Sequence, residues 1–147
     1  MVFPEAHVPQ IAQVIQLSVA PVFLLAGVGA IMNAMSTRLG RAVDRARMLE
    51  ADLPSADAAQ AERIHVELES ISRRARLITR AMALAVLCAL LVTLLLIAAF
   101  VDAFAPADLS FVLAAIFVAA LLAFSGSLLV FLREIIIASA NLRIGPH

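Results

Sequence analysis

Charge falls along this chain in blocks, separated by long uncharged stretches. Ile11–Met35, Ala81–Val101 and Leu109–Leu132 contain no Asp, Glu, Lys or Arg. A helix crossing a bilayer core of about 30 Å needs about 20 mostly apolar residues. The pattern therefore predicts three transmembrane helices, over residues 11–35, 81–104 and 109–132. Residues 105–108, inside "DAFAPAD", read as a turn built on Pro106, and so short a link makes helices two and three antiparallel neighbours. The fold class that follows is an all-α integral membrane protein.

The polar segment between the first two spans, residues 36–80, is too regular for a loop. Ile64, Leu68, Ile71, Ala75, Ile78, Met82 and Ala85 recur at alternating steps of four and three, the seam of a helical heptad. Leu39, Ala42, Ala46 and Leu49 offer similar spacing in the first half. Between them "LPSADAAQ" breaks the pattern, because Pro54 does not fit a helix interior. Asp57, with Gln60 three residues on, resembles a capping box, and Ser55 is the alternative cap. Helices one and two are thus expected to leave the membrane as an antiparallel helical hairpin. At 1.5 Å per residue helix two would run roughly 70 Å, with about 30 Å beyond the bilayer.

Composition agrees with a membrane location. The chain has 147 residues, 63% of them apolar, against roughly 45–50% in a soluble domain. Formal net charge is zero, which argues against a nucleic-acid binder. All eleven basic residues are arginines, and all lie after span one, before span two or after span three. By the positive-inside rule the N-terminal tail (1–10) is periplasmic, while the hairpin (36–80) and C-terminal tail (133–147) are cytoplasmic. "MVFPEAHVPQ" lacks a positive n-region, so the first span reads as a retained anchor. Cys88 has no second cysteine to pair with.

The polar blocks are themselves sorted by sign. Arg38, Arg41, Arg45, Arg73, Arg74, Arg76, Arg80 and Arg133 form a collar at the membrane edge, against only Asp44 and Glu134. Towards the hairpin tip stand Glu50, Asp52, Asp57, Glu62, Glu67 and Glu69, against Arg47 and Arg63. The collar suits anionic lipids, and the acidic tip suits a soluble partner. Asp44, amid Arg41, Arg45 and the facing Arg73, Arg74 or Arg76, is expected to anchor a charge network between the hairpin arms.

Catalytic chemistry finds no footing. His7, His65 and His147 share no metal-ligand spacing with Cys or acids, and no phosphate loop or nucleophile elbow is present in the sequence. No enzyme, cofactor or metal is expected. Ser125-Gly126-Ser127 reads as a small-residue patch for close helix packing.

Span one is the unusual one. Gln13, Gln16, Ala20, Gly27 and Ala34 fall on one face, within about 80° and in line with Arg38, Arg41 and Arg45. A second polar and small stripe lies roughly opposite. Two such faces want protein or water rather than lipid, which points to a homo-oligomer. The first stripe either packs helices or lines a water-filled path ending in arginine rings. Pro21 is a candidate kink, and Asn33 is expected to hydrogen-bond a neighbouring helix.

"APVFLLAGVGAIMNAMSTRLGRAVDRARMLE", "RRARLITRAMAL" and "FLREI" resemble a family of small bacterial inner-membrane proteins classed as a domain of unknown function. The resemblance runs from about Val14 to Arg143, with Thr79 where Asn is expected. It implies three membrane helices and no activity. Two functions are carried forward: a weakly anion-preferring homo-oligomeric pore lined by helix one, or a non-conducting scaffold that organises anionic lipids. A sensor subunit with a partner at the acidic tip is the third.

Overall fold

Helix is the only regular structure in the computed structural model, which describes residues 8–104 and 109–141. Helix α1 spans Val8–Asp52, α2 Ala58–Phe104 and α3 Ser110–Asn141. All three are long and apolar enough to cross a membrane. The expected turn at 105–108, the first seven residues and the tail from 142 lie outside the described residues.

Helix α1 runs unbroken through Pro21 and stops where Pro54 enters a single turn of 3-10 helix, Leu53–Ser55. The Ser55 hydroxyl donates to the Asp52 carbonyl at 3.0 Å, closing that turn. Asp57 then starts α2 with a reciprocal capping box. The Gln60 amide N–H donates to Asp57 Oδ1 at 2.8 Å, and the Asp57 N–H donates to Gln60 Oε1 at 3.2 Å. Two otherwise orphaned donors of the first turn are satisfied this way. The sequence offered Asp57 and Ser55 as alternative caps; Asp57 caps α2, while Ser55 serves the end of the preceding turn.

The chain divides into two compact units. One takes the chain through Ala30 together with Ala85–Ser125; the other takes Ile31–Leu84 and the chain from Gly126 onward. The first unit buries Val28, Ala85, Cys88, Val92, Leu95, Ala120 and Ala123. Small side chains dominate this set and let helices approach closely. An apolar groove of about 380 Å³ opens at its surface between Val19, Val22, Phe23, Leu96 and Phe100.

The core of the second unit is Met35, Ile78 and Ala81, packed by Ile31, Leu39, Met82, Val130 and Phe131. Leu49 and Ile71 are also buried, and Ile64, Leu68, Ala75, Ala42 and Ala46 are partly covered. The heptad seam read from the spacing is therefore the inward face. Gly126 packs against α2, with Leu84 Cδ1 3.5 Å from where a Cβ would stand. Beside it the Ser127 hydroxyl donates to the Ala81 carbonyl at 2.7 Å.

Helix α3 does not end with its uncharged stretch. It continues past Leu132 to Asn141, so the first nine residues expected in a C-terminal tail are helical. Nothing in "REIIIASAN" breaks a helix, and Ile135–Ile137 supply apolar side chains for its continuation.

Candidate functional site

Because α3 continues, one of its charged residues falls on the buried stripe. Ala120, Ala123, Ser127, Glu134 and Ala138 are all buried and follow one another at helical steps. Glu134 occupies a place on this stripe that an apolar residue would ordinarily fill, and none of its side chain is exposed. An isolated carboxylate there would cost several kcal/mol in lost hydration. Two arginines compensate it. Arg74, from α2, donates from Nε and Nη2 to Glu134 Oε1 at 3.2 and 3.1 Å. Arg38, from α1, places Nε 3.6 Å from Oε2. That distance is ion-pair range rather than a hydrogen bond, and Oε2 has no hydrogen-bond partner among the described residues.

The guanidinium of Arg38 also lies over the Phe131 ring, 5.6 Å from its centroid, one turn before Glu134 on α3. A cation at that distance from an aromatic face is attracted by the ring quadrupole. All three helices thus contribute to one polar cluster inside the second unit. Two guanidinium charges against one carboxylate leave it with a surplus of one positive charge.

The remaining sequence-predicted residues are more dispersed. Asp44 is exposed and forms no ion pair among the described residues. The network expected around it is instead gathered by Glu134, because a buried carboxylate needs compensation and an exposed one is served by water. Arg45 pairs with Glu67 at 2.9 Å across the α1–α2 link, an exposed contact. Arg41, Arg73, Arg76, Arg80 and Arg133 are exposed and form no ion pair among the described residues. Gln13, Gln16, Ala20, Gly27 and Ala34 are all exposed, and a Cβ added at Gly27 would meet nothing within 4 Å. Pro21 is buried. Asn33 is exposed; its backbone carbonyl accepts from Thr37 Oγ1 at 3.0 Å, and its side-chain amide makes no hydrogen bond to a neighbouring helix among the described residues.

Sequence pattern marks Glu134 only as a countercharge to the collar and does not mark Phe131. A signal was available: extending the α3 register from Ala120 through Ala123, Ser127 and Val130 puts Glu134 next on the same stripe. The charge at 133–134 reads as the boundary of the span, and the register runs on through it.

A family described as "Protein of unknown function (DUF2721)" matches residues 18–144. The chain belongs to the DUF2721 family. The family's description brings no activity with it. No curated protein and no solved structure matches the chain. The DUF2721 match takes in the whole arginine collar together with Asp44, Phe131 and Glu134, and begins after Gln13 and Gln16.

Proposed function

We propose that this DUF2721 protein is an integral protein of the bacterial inner membrane that organises anionic lipids around its arginine collar. In this reading the N-terminus is periplasmic, the α1–α2 hairpin is cytoplasmic, and copies associate through α1. The membrane location is supported by the apolar surface. Only 11–22% of the most apolar window of each helix is buried within the chain. Phe23, Leu90, Phe111, Leu122 and Leu129 are each more than three-fifths exposed. In water each would forgo about 1.5–3 kcal/mol of burial; acyl chains remove that cost.

The observation that carries the lipid role is the state of the collar. Five of its eight arginines, Arg41, Arg73, Arg76, Arg80 and Arg133, are exposed and without a protein carboxylate among the described residues. Exposed pairs would contribute little stability in any case. Unpaired guanidinia at the ends of apolar stretches suit lipid phosphates, at about 1 kcal/mol per basic residue near an anionic leaflet. Replacing Arg73, Arg76 and Arg133 together by Gln is expected to lower the anionic phospholipid that co-purifies, read by mass spectrometry. Unchanged lipid content would overturn the proposal.

Conduction is the second reading. The exposure of Gln13 and Gln16 favours it, since two amides on a mostly apolar helix want water or protein. A water-filled path along this stripe between several copies would satisfy them.

A further inference from the structure

We infer that Arg38 and Arg74 form a phosphate-binding site of fixed geometry, with Glu134 as the positioning residue. The inference rests on the proposal that the collar faces phospholipid headgroups, and it singles out one place in that collar.

Glu134 occupies only one edge of each guanidinium. An arginine carries five N–H donors in a rigid planar fork. Arg74 commits Nε and Nη2 to Oε1, and Arg38 turns Nε towards Oε2. Side-chain exposure of 34% for Arg38 and 30% for Arg74 leaves part of each group open to the outside. The N–H groups that Glu134 does not use have no partner among the described residues, on two guanidinia held by one buried carboxylate.

The pair is ordered before any ligand arrives. Arg74 is fixed by two hydrogen bonds, and Arg38 is held between Glu134 and the Phe131 ring. Ordering long side chains is a principal cost of binding, and here much of it has already been met in folding. The surplus positive charge selects an anion. Forked N–H pairs match the oxygens of a phosphate better than a point charge does. Depth is also right. Glu134 lies two residues beyond the uncharged α3 stretch, and Arg38 three beyond that of α1. The ligand is therefore a phosphate group, from a phospholipid headgroup or free in solution.

One property separates this site from a diffuse collar. Glu134→Gln removes a negative charge. A collar acting only through net charge would then hold anionic lipid as well or better. A positioned site should hold it about tenfold less tightly, since charge-assisted hydrogen bonds that set its geometry are lost. Arg38→Lys with Arg74→Lys keeps the charge and removes the forks, and should bring a similar loss.

The experiment is native mass spectrometry of the purified full chain, titrated with phosphatidylglycerol, diacylglycerol of the same chains, and inorganic phosphate. One phosphatidylglycerol is expected to bind most tightly, with diacylglycerol failing to replace it. Competition by inorganic phosphate assigns the site to phosphate in general; its absence assigns it to the headgroup. Both support the site when the variants lose the tight lipid. Circular dichroism checks that each variant keeps its helices, and the lysine pair decides if Glu134→Gln does not fold. Equal or tighter binding by folded Glu134→Gln, or no loss in the lysine pair, overturns the inference. Arg73→Gln with Arg76→Gln should lower total anionic lipid while sparing the tight one. A lysine-pair loss without that general effect would sustain the site and remove the broader collar.

Discussion

A carboxylate with no exposed surface, shared by two arginines, responds asymmetrically to substitution. Removing one arginine leaves the carboxylate with poorer compensation, whereas replacing an arginine and the carboxylate together with apolar side chains removes the desolvation cost as well. Arg74→Ala leaves Oε1 of Glu134 without its two hydrogen bonds, with only Arg38 still facing the carboxylate, and should cost about 1–3 kcal/mol. Arg74→Leu combined with Glu134→Leu should recover most of that loss. Thermal melts of helicity in detergent check both, and a double variant no more stable than Arg74→Ala alone would count against an ion-pair role. The same residue shows how far a sequence carries. Charge at Arg133 and Glu134 reads as the point where a helix meets water, which is right for Arg133, an exposed residue. It is wrong for Glu134, because compensation comes from Arg38 and Arg74, far away in the chain. No local pattern contains that pairing.

Between single residues and the molecule, the elements were the most legible part. The heptad seam of α2, the break at Pro54 and the capping box at Asp57 all follow from short-range rules, and short-range rules are what spacing can express. The end of α3 was legible only in part: its register carries the buried stripe past Leu132 to Glu134, but the arginines that let a charge stand there come from the other helices. The cap makes a local prediction. Asp57→Ala removes the acceptor of the Gln60 N–H and should cost about 1 kcal/mol, while Asp57→Asn should retain most of the effect. Amide hydrogen exchange at the start of α2 reads this directly: faster exchange at Gln60 in the alanine variant, near-native exchange in the asparagine one. Equal exchange in all three would mean that the α1–α2 link, including the Arg45–Glu67 pair, holds the helix end without its cap.

For the whole molecule the first expectation is orientation. With Cys88 replaced by alanine, a cysteine at Asp57 should react with a membrane-impermeant reagent only from the cytoplasmic side, since the arginines bracket the hairpin. Labelling from the periplasm would reverse the topology. Conduction is the second, and it sets the two functional readings against each other. If α1 lines a path, Gln13 and Gln16 face it near one end and Arg41 and Arg45 stand beyond the other, all exposed on the single chain. Arg38 would contribute less than its sequence position implies, because Glu134 partly neutralises it. A ring of exposed arginines raises the local potential for anions. Purified protein in planar bilayers should then pass a current whose reversal potential in a salt gradient follows chloride. Arg41→Gln should move that potential towards the cation, and Arg38→Gln, the same change in charge, should move it less. The unequal response of these two arginines on the same helix follows from the Glu134 contact alone. Current indifferent to Arg41→Gln would leave a pore lined by some other face. The absence of current above empty-bilayer controls, across voltage and pH, would leave the collar to lipids.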